Sequence, residues 1–138
     1  GARLTVLHPH QDPQAKADPN ENSLVLRRDL GKVSFLLTGD IGEETESDLL
    51  AQRAPLRASV LKVAHQGSQT STSAPFLAQV HPSAAVILAS KDNPYGHPSP
   101  AVRARLEGVV GKELYLTSRH GTITFTTQGN RLWVKADR

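Results

Sequence analysis

Three side chains of metal-binding type follow short apolar segments of the sequence. Asp40 follows Leu-Leu-Thr-Gly, His65 follows Leu-Lys-Val-Ala, and His97 lies beyond Ala-Val-Ile-Leu-Ala, within Asn-Pro-Tyr-Gly-His-Pro. Open α/β sheets place their sites outside the carboxyl ends of the strands, because the loops converge there. A carboxylate together with imidazoles suits Zn²⁺, Mn²⁺ or a related divalent ion. We therefore expect Asp40, His65 and His97 to meet at one edge of a sheet.

Each of these residues also has an ordinary structural interpretation. An Asp after Thr-Gly is often a turn or helix-cap residue. A histidine that ends a strand is often hydrogen-bonded within the fold, and His97 between Gly and Pro fits a plain loop residue. The ordinary interpretation is stronger for the remaining four histidines, which are His8, His10, His81 and His120.

Composition excludes several classes of site. The 138 residues contain no Cys, which excludes disulfides and thiolate metal sites. The 16 basic and 13 acidic residues give a net charge of +3, and 4% aromatic residues are too few for a single-strand stacking platform. The sequence has no Ser-nucleophile elbow, P-loop or dinucleotide motif, and no apolar run that could span a bilayer. It contains no Met and starts with Gly1, so we expect a piece of a longer protein.

The order of apolar and polar segments predicts an α/β fold. A hairpin of two strands is followed by alternating helices and strands, which implies right-handed crossovers and a partly parallel sheet. The last residues alternate around Gln-Gly-Asn and predict a β-hairpin. Strands are expected at 3–8, 23–30, 32–38, 58–63, 84–89, 113–117, 122–127 and 131–136, and helices at 43–53, 74–80 and 99–107.

Four motifs together resemble the metallo-β-lactamase-like domain of the ComEC family of DNA-internalisation competence proteins. They are Ser-Leu-Val-Leu at 23–26, Phe-Leu-Leu-Thr-Gly-Asp at 35–40, Leu-Lys-Val-Ala-His-Gln-Gly-Ser at 61–68 and Tyr-Gly-His-Pro at 95–98. The resemblance runs in order over most of the chain. It implies that residues 1–138 form a single partial domain, the second half of an αββα sandwich with a mixed sheet, flanking helices and a C-terminal β-hairpin.

The resemblance also implies a function. Family members are membrane channels that import single-stranded DNA, and their lactamase-like domain is proposed to be a metal-dependent nuclease. By this resemblance Asp40 would bridge two metal ions, Zn²⁺ or Mn²⁺, His65 and His97 would act at or beside them, and Ser68 and Asn93 would contact phosphate. The domain would lie on the outer face of the cytoplasmic membrane, tethered to channel segments, although this fragment itself is expected to be soluble.

Two departures from the family pattern weaken the expectation of activity. The family usually has His-His-Gly-Ser, whereas this chain has His65-Gln66-Gly67-Ser68, and the upstream His/Asp metal cluster of the superfamily is absent. We therefore expect the fragment to bind metal weakly or not at all and to hydrolyse DNA negligibly. The sheet face meant for the missing N-terminal half would be exposed, so we expect a homodimer or larger oligomer.

Two other functions remain open. The chain could belong to a degenerate, non-catalytic domain that binds DNA or assists assembly, an interpretation favoured by Gln66 and by the excess of basic residues at 101–138. It could also belong to a different metallo-β-lactamase-fold hydrolase that acts on an ester or lactam. The first alternative predicts DNA binding that needs no metal and falls steeply with salt.

Overall fold

The main sheet contains six strands within the part of the chain that the structure, a computed structural model, describes, namely residues 1–9 and 16–138. In spatial order they follow the sequence, and the first two pairings are antiparallel while the last three are parallel. This confirms the predicted mixed sheet. The strands are β1 (Arg3–His8), β2 (Val25–Leu30), β3 (Val33–Leu37), β4 (Val60–Lys62), β5 (Ala84–Ile87) and β6 (Leu114–Leu116).

One face of the main sheet is buried under helices. Leu36, Leu61 and Ile87 of the central strands are at most 1% exposed and belong to one apolar core. Three helices bury apolar side chains in the same core, and burying each Leu or Phe contributes about 1.5–3 kcal/mol. The parallel pairings therefore have the helical cover that such strands need. The helices are α1 (Glu43–Ala51), α2 (Ala74–Val80) and α3 (Pro100–Val110).

The other face of the sheet is only partly covered. A separate two-stranded sheet of β7 (Ile123–Thr127) and β8 (Leu132–Ala136) packs there, and the Phe125 ring meets Phe35 edge-on at a centroid distance of 6.2 Å. Beyond this hairpin, Leu4, Val6 and Leu88 remain 59%, 55% and 45% exposed. The predicted hairpin is confirmed, and an apolar strip of the sheet is left open to solvent. The expected homodimer stays a prediction.

Proline and serine at the helix starts act as the sequence predicts. The Ser99 hydroxyl accepts a hydrogen bond from Val102 N (3.2 Å), and Pro100 occupies the first turn of α3. Pro75 lies in the first turn of α2 in the same way. A proline costs little there, because the first N–H groups of a helix lack internal partners. The starts of α2 and α3 therefore determine where the chain leaves the sheet edge that carries the candidate residues.

Some predicted boundaries are wrong. Strand β4 is shorter than the expected 58–63, and α3 runs to Val110 instead of ending at 107. A four-residue helix, α4 (Thr117–His120), follows β6 and was not expected, and the His120 ring accepts a hydrogen bond from Leu116 N (3.0 Å). A 3₁₀ turn at Pro19–Asn22 precedes β2, and His10 falls outside the described residues.

Within the described residues, every helix is too short or too polar to cross a lipid bilayer. The longest regular helix is α3, with 11 residues. A membrane-spanning helix needs about 20 predominantly apolar residues.

Candidate functional site

The turn after β3 places Asp40 at the carboxyl edge of the main sheet. Gly39 has φ +52°, and a Cβ added there would lie 2.9 Å from the Ser23 Cβ, so only glycine fits. Asp40 N donates to the Ser23 hydroxyl (3.2 Å), and the Thr38 hydroxyl donates to Lys62 O (2.6 Å). The Asp40 carboxylate is therefore presented to solvent by a turn that is anchored on both sides.

The turn after β4 brings His65 beside the Asp40 turn. It is a 3₁₀ turn at Ala64–Gly67 in which His65 (φ 50°, ψ 42°) and Gln66 (φ 55°, ψ 25°) are both left-handed. His65 N donates to Gly39 O (3.0 Å), which joins the two turns. Left-handed backbone costs a non-glycine residue roughly 1–2 kcal/mol. Such strain persists where surrounding contacts impose it, often at functional sites.

The loop after β5 brings His97 to His65. The Asn93 side chain accepts from His97 N (2.9 Å) and donates to His97 O (2.7 Å), which fixes the backbone of this loop. Ser99 N then donates to Gly67 O (2.9 Å) across the two loops. As a result the His65 and His97 rings meet edge-on, with centroids 5.6 Å apart and planes at 79°. Three loops thus converge at one edge.

An acidic cavity of about 480 Å³ opens beside Asp40 and His65. Its walls include backbone and polar side chains of the turn after β4 and of the Pro19–Asn22 turn. His97 is not part of this wall, although its ring contacts His65. Besides Asp40, four carboxylates line the cavity, namely Asp18, Glu21, Glu43 and Glu44.

Burial and neighbouring charges shift the pKa values of two basic side chains next to this edge, His97 and Lys62. Burial lowers the pKa of His97, and the neighbouring His65 lowers it further, so His97 is neutral at pH 7. Its Nδ1 atom is buried and has no hydrogen-bond partner among the described residues. Burial also lowers the pKa of Lys62, while Asp40 acts in the opposite direction, and the Lys62 ammonium donates to Gly39 O (3.2 Å).

The donor chemistry suits a metal ion, but the arrangement is incomplete. Carboxylate and neutral imidazole are ligands of Zn²⁺ and Mn²⁺. Among residues 1–9 and 16–138, however, no group of three or more His, Cys, Asp or Glu side chains is arranged to hold a metal ion. Asp40 and His65 share the cavity, and His97 stands beside His65 without joining them there. These residues alone do not fit a complete metal centre.

The two residues predicted to contact phosphate, Ser68 and Asn93, form hydrogen bonds within the fold. Ser68 is buried, and its hydroxyl lies 3.0 Å from the Thr70 hydroxyl and accepts from Thr70 N (3.3 Å). The Asn93 amide is committed to backbone groups of its own loop, including Ser90 O (2.9 Å). The roles of Ser68 and Asn93 in substrate binding stay predictions. In the structure, each side chain holds the backbone of its own loop.

Proteins with similar sequences identify the family. ComE operon protein 3 of Bacillus subtilis (strain 168) is 39% identical over 121 residues, or 87% of this chain. Recombination protein 2 of Haemophilus influenzae is 40% identical over 77% of the chain, and competence protein ComA of Neisseria gonorrhoeae is 37% identical over 100% of it. The chain belongs to the ComEC family of competence proteins. No protein-family model matches it.

The chain is a small part of these ComEC-family relatives. It spans 15% of the Bacillus protein, 13% of the Haemophilus protein and 19% of the Neisseria protein. The region that this chain matches is therefore a small segment of each of these relatives. Of these three relatives, the Neisseria protein is named a competence protein and the Haemophilus protein a recombination protein.

Sequence reasoning missed several residues that shape this ComEC-family site. Buried Glu21 accepts from Thr45 N (3.3 Å) and also from Gly42 N, which places one more carboxylate in the cavity wall. Nothing in the polar stretch around Glu21 signals this role. Lys62 was detectable, because a lysine at the end of an apolar strand has to reach a polar partner.

Proposed function

We propose that this chain forms part of a metal-dependent phosphodiester hydrolase domain in a competence DNA-uptake protein. The observation that supports the proposal is the convergence of Asp40, His65 and His97 at one sheet edge, with the two imidazole rings 5.6 Å apart. Membership in the ComEC family supports the connection to DNA uptake.

The charge of the cavity supports the requirement for a cation. Asp40 and four further carboxylates line it, and a phosphodiester anion brought there would be repelled by them. Divalent ions remove such repulsion and activate water in phosphoryl-transfer sites. Because the described residues do not complete a metal centre, we propose that further ligands come from other parts of the parent protein.

The side chains of this chain would have distinct tasks. Asp40, exposed at the tip of its turn, would act as the carboxylate ligand. His65, held by its bond to Gly39 O, would supply an imidazole at the cavity wall. His97 is neutral at pH 7 and has an unpartnered Nδ1, so it could act as a ligand or accept a proton from water.

The test compares this chain with a longer polypeptide that includes the preceding residues of its parent. We expect calorimetry with Zn²⁺ or Mn²⁺ to show weak or no binding to the chain alone, and a labelled oligonucleotide to remain uncut. The longer polypeptide should bind metal and cleave DNA, and Asp40→Asn should abolish both. Asp92→Asn, which changes an exposed carboxylate outside the cavity, serves as the matched control.

Two results would contradict the proposal. Tight stoichiometric metal binding by the 138-residue chain would show that it needs no additional ligands. A longer polypeptide that folds but never cleaves DNA with any divalent ion would remove the hydrolase assignment altogether.

A second candidate is a non-catalytic domain that binds DNA or assists assembly. The specific observation in its favour is that no three-ligand group exists among the described residues. The exposed Gln66, which stands where the family pattern usually has histidine, points the same way. This candidate predicts DNA binding by the longer polypeptide that is unaffected by a chelator and is not followed by cleavage.

A further inference from the structure

A basic cavity lies at the amino ends of the parallel strands, on the edge of the sheet opposite Asp40. It measures about 360 Å³ and is lined by Arg27, Lys32, Arg57 and His81, with no carboxylate in its wall. An ordinary structural role is expected for His81 from the sequence, and neither candidate function uses these residues. The two edges of the sheet therefore differ in charge, because the cavity beside Asp40 is lined by five carboxylates.

Two of the cations in this cavity have no ion-pair partner among the residues that the structure describes. Arg27 is paired, since its Nε atom contacts both Asp29 oxygens at 3.1 and 3.0 Å and a terminal nitrogen donates to Pro55 O (2.9 Å). In contrast, neither Lys32 nor Arg57 forms an ion pair among the described residues. Arg27 thus anchors the wall, and Lys32 and Arg57 leave two positive charges at the cavity.

Serine hydroxyls add hydrogen-bond donors to the same cavity. Ser59 N donates to the Ser34 hydroxyl (3.1 Å), and Ser34 N donates to the Ser59 hydroxyl (3.0 Å). Each oxygen accepts a backbone N–H, so its own O–H proton is available to another acceptor. Ser83 adds an exposed hydroxyl, and His81 reaches the wall from a left-handed position (φ 44°) at the end of α2.

We propose that this cavity, formed by Lys32, Arg57, His81 and the three serine hydroxyls, binds a phosphate group of a DNA strand. Unpaired cations and hydroxyl donors without a competing carboxylate are the groups that bind phosphate oxygens. The choice of DNA as the source of that phosphate rests on the proposed function. The phosphate chemistry rests on the cavity alone.

The test measures binding of a fluorescent single-stranded oligonucleotide to the full chain across a salt series, with a chelator present. Each phosphate contact to a single strand contributes about 0.7 to the slope of log K against log[salt]. Because Lys32 and Arg57 are proposed to hold the same phosphate, Lys32→Gln with Arg57→Gln should reduce the magnitude of this slope by about 0.7, which makes binding roughly 8-fold weaker at 50 mM salt. Because no metal is present, the result is independent of any hydrolase activity.

Matched variants separate this cavity from a general effect of charge. Lys91→Gln with Arg138→Gln removes the same two charges at exposed positions outside the cavity and should leave the slope nearly unchanged. Arg57→Lys keeps the charge and should keep the slope. Ser83→Ala removes a hydroxyl donor and should weaken binding without altering the slope. Circular dichroism of each variant establishes that the fold is retained.

The outcomes distinguish the sources of the phosphate. Equal slopes for the cavity variant and the control variant, or no binding by the wild-type chain at low salt, would overturn the proposal. Inorganic phosphate that shifts the His81 ring resonance while the oligonucleotide slope is insensitive to Lys32 and Arg57 would assign the cavity to free phosphate and refute the DNA assignment.

Discussion

Replacing Gly67 with alanine should separate the His65 and His97 loops. Gly67 has φ +80°, and a Cβ added there would lie 2.6 Å from the Pro98 Cβ and 3.0 Å from its Cα. The left-handed backbone costs an alanine about 1 kcal/mol. The clash with Pro98 adds about 1–3 kcal/mol, because the neighbouring backbone has to move. We expect Gly67→Ala to lower the free energy of unfolding by about 2–4 kcal/mol in total.

Gly96→Ala is the matched control. Gly96 has φ +69° in the same loop as His97, but an added Cβ would meet nothing within 4 Å. It should therefore cost only the backbone term of about 1 kcal/mol. Urea unfolding measures both variants, and NMR contacts between the His65 and His97 rings report whether the loops remain together. Equal destabilisation by the two variants, or intact ring contacts in Gly67→Ala, would refute the argument that the close approach of Gly67 and Pro98 positions His97.

Two further predictions follow from buried or paired polar groups. Glu46 of α1 is fully buried and accepts from Thr72 N and Ser73 N, so Glu46→Ala should leave one buried and one partly buried donor unsatisfied and cost about 2–4 kcal/mol. Glu43→Ala, at an exposed position of the same helix, should cost far less in urea unfolding, and similar costs would contradict this. The hydrogen bond to Glu113, together with burial, raises the pKa of Tyr115 to about 12. The stabilisation of the fold by the Tyr115–Glu113 hydrogen bond is therefore fully present below about pH 10 and is lost as the pH rises through 12. Ultraviolet titration should show this late ionisation, and Glu113→Gln should lower the pKa of Tyr115. A normal titration of Tyr115 in the wild type would count against its hydrogen bond to Glu113.

Local sequence signals predict most of the elements that carry the candidate site. Proline after a serine marks a helix start wherever the serine can accept from an N–H two or three residues on, and Ser99 does so. Apolar runs such as Ala-Val-Ile at 85–87 mark strands that are buried on both sides of the chain. Because these signals act over a few residues, they predict that Asp40, His65 and His97 follow strand ends, whereas their common edge depends on the parallel pairing of β3, β4 and β5.

Contacts between distant segments could not be predicted in this way. The bond from Ser99 N to Gly67 O joins residues that are 32 positions apart, and it brings the His97 loop to His65. Glu46 reaches Thr72 and Ser73 across 26 and 27 positions. The hairpin of β7 and β8 gives a clear alternating signal, yet the contacts of Phe125 with Phe35 and Tyr115, which no local signal predicts, show that it packs on the main sheet instead of extending it.

The separation of the two cavities explains why one cannot compensate the charge of the other. Strand β3 has five residues, so the acidic and basic edges are about 16 Å apart along it. That distance exceeds the Debye length of about 8 Å at physiological ionic strength. Lys32 and Arg57 therefore cannot offset the carboxylates around Asp40 through solvent. On the proposed function, a DNA strand held at the basic edge would therefore still be repelled by the carboxylates around Asp40.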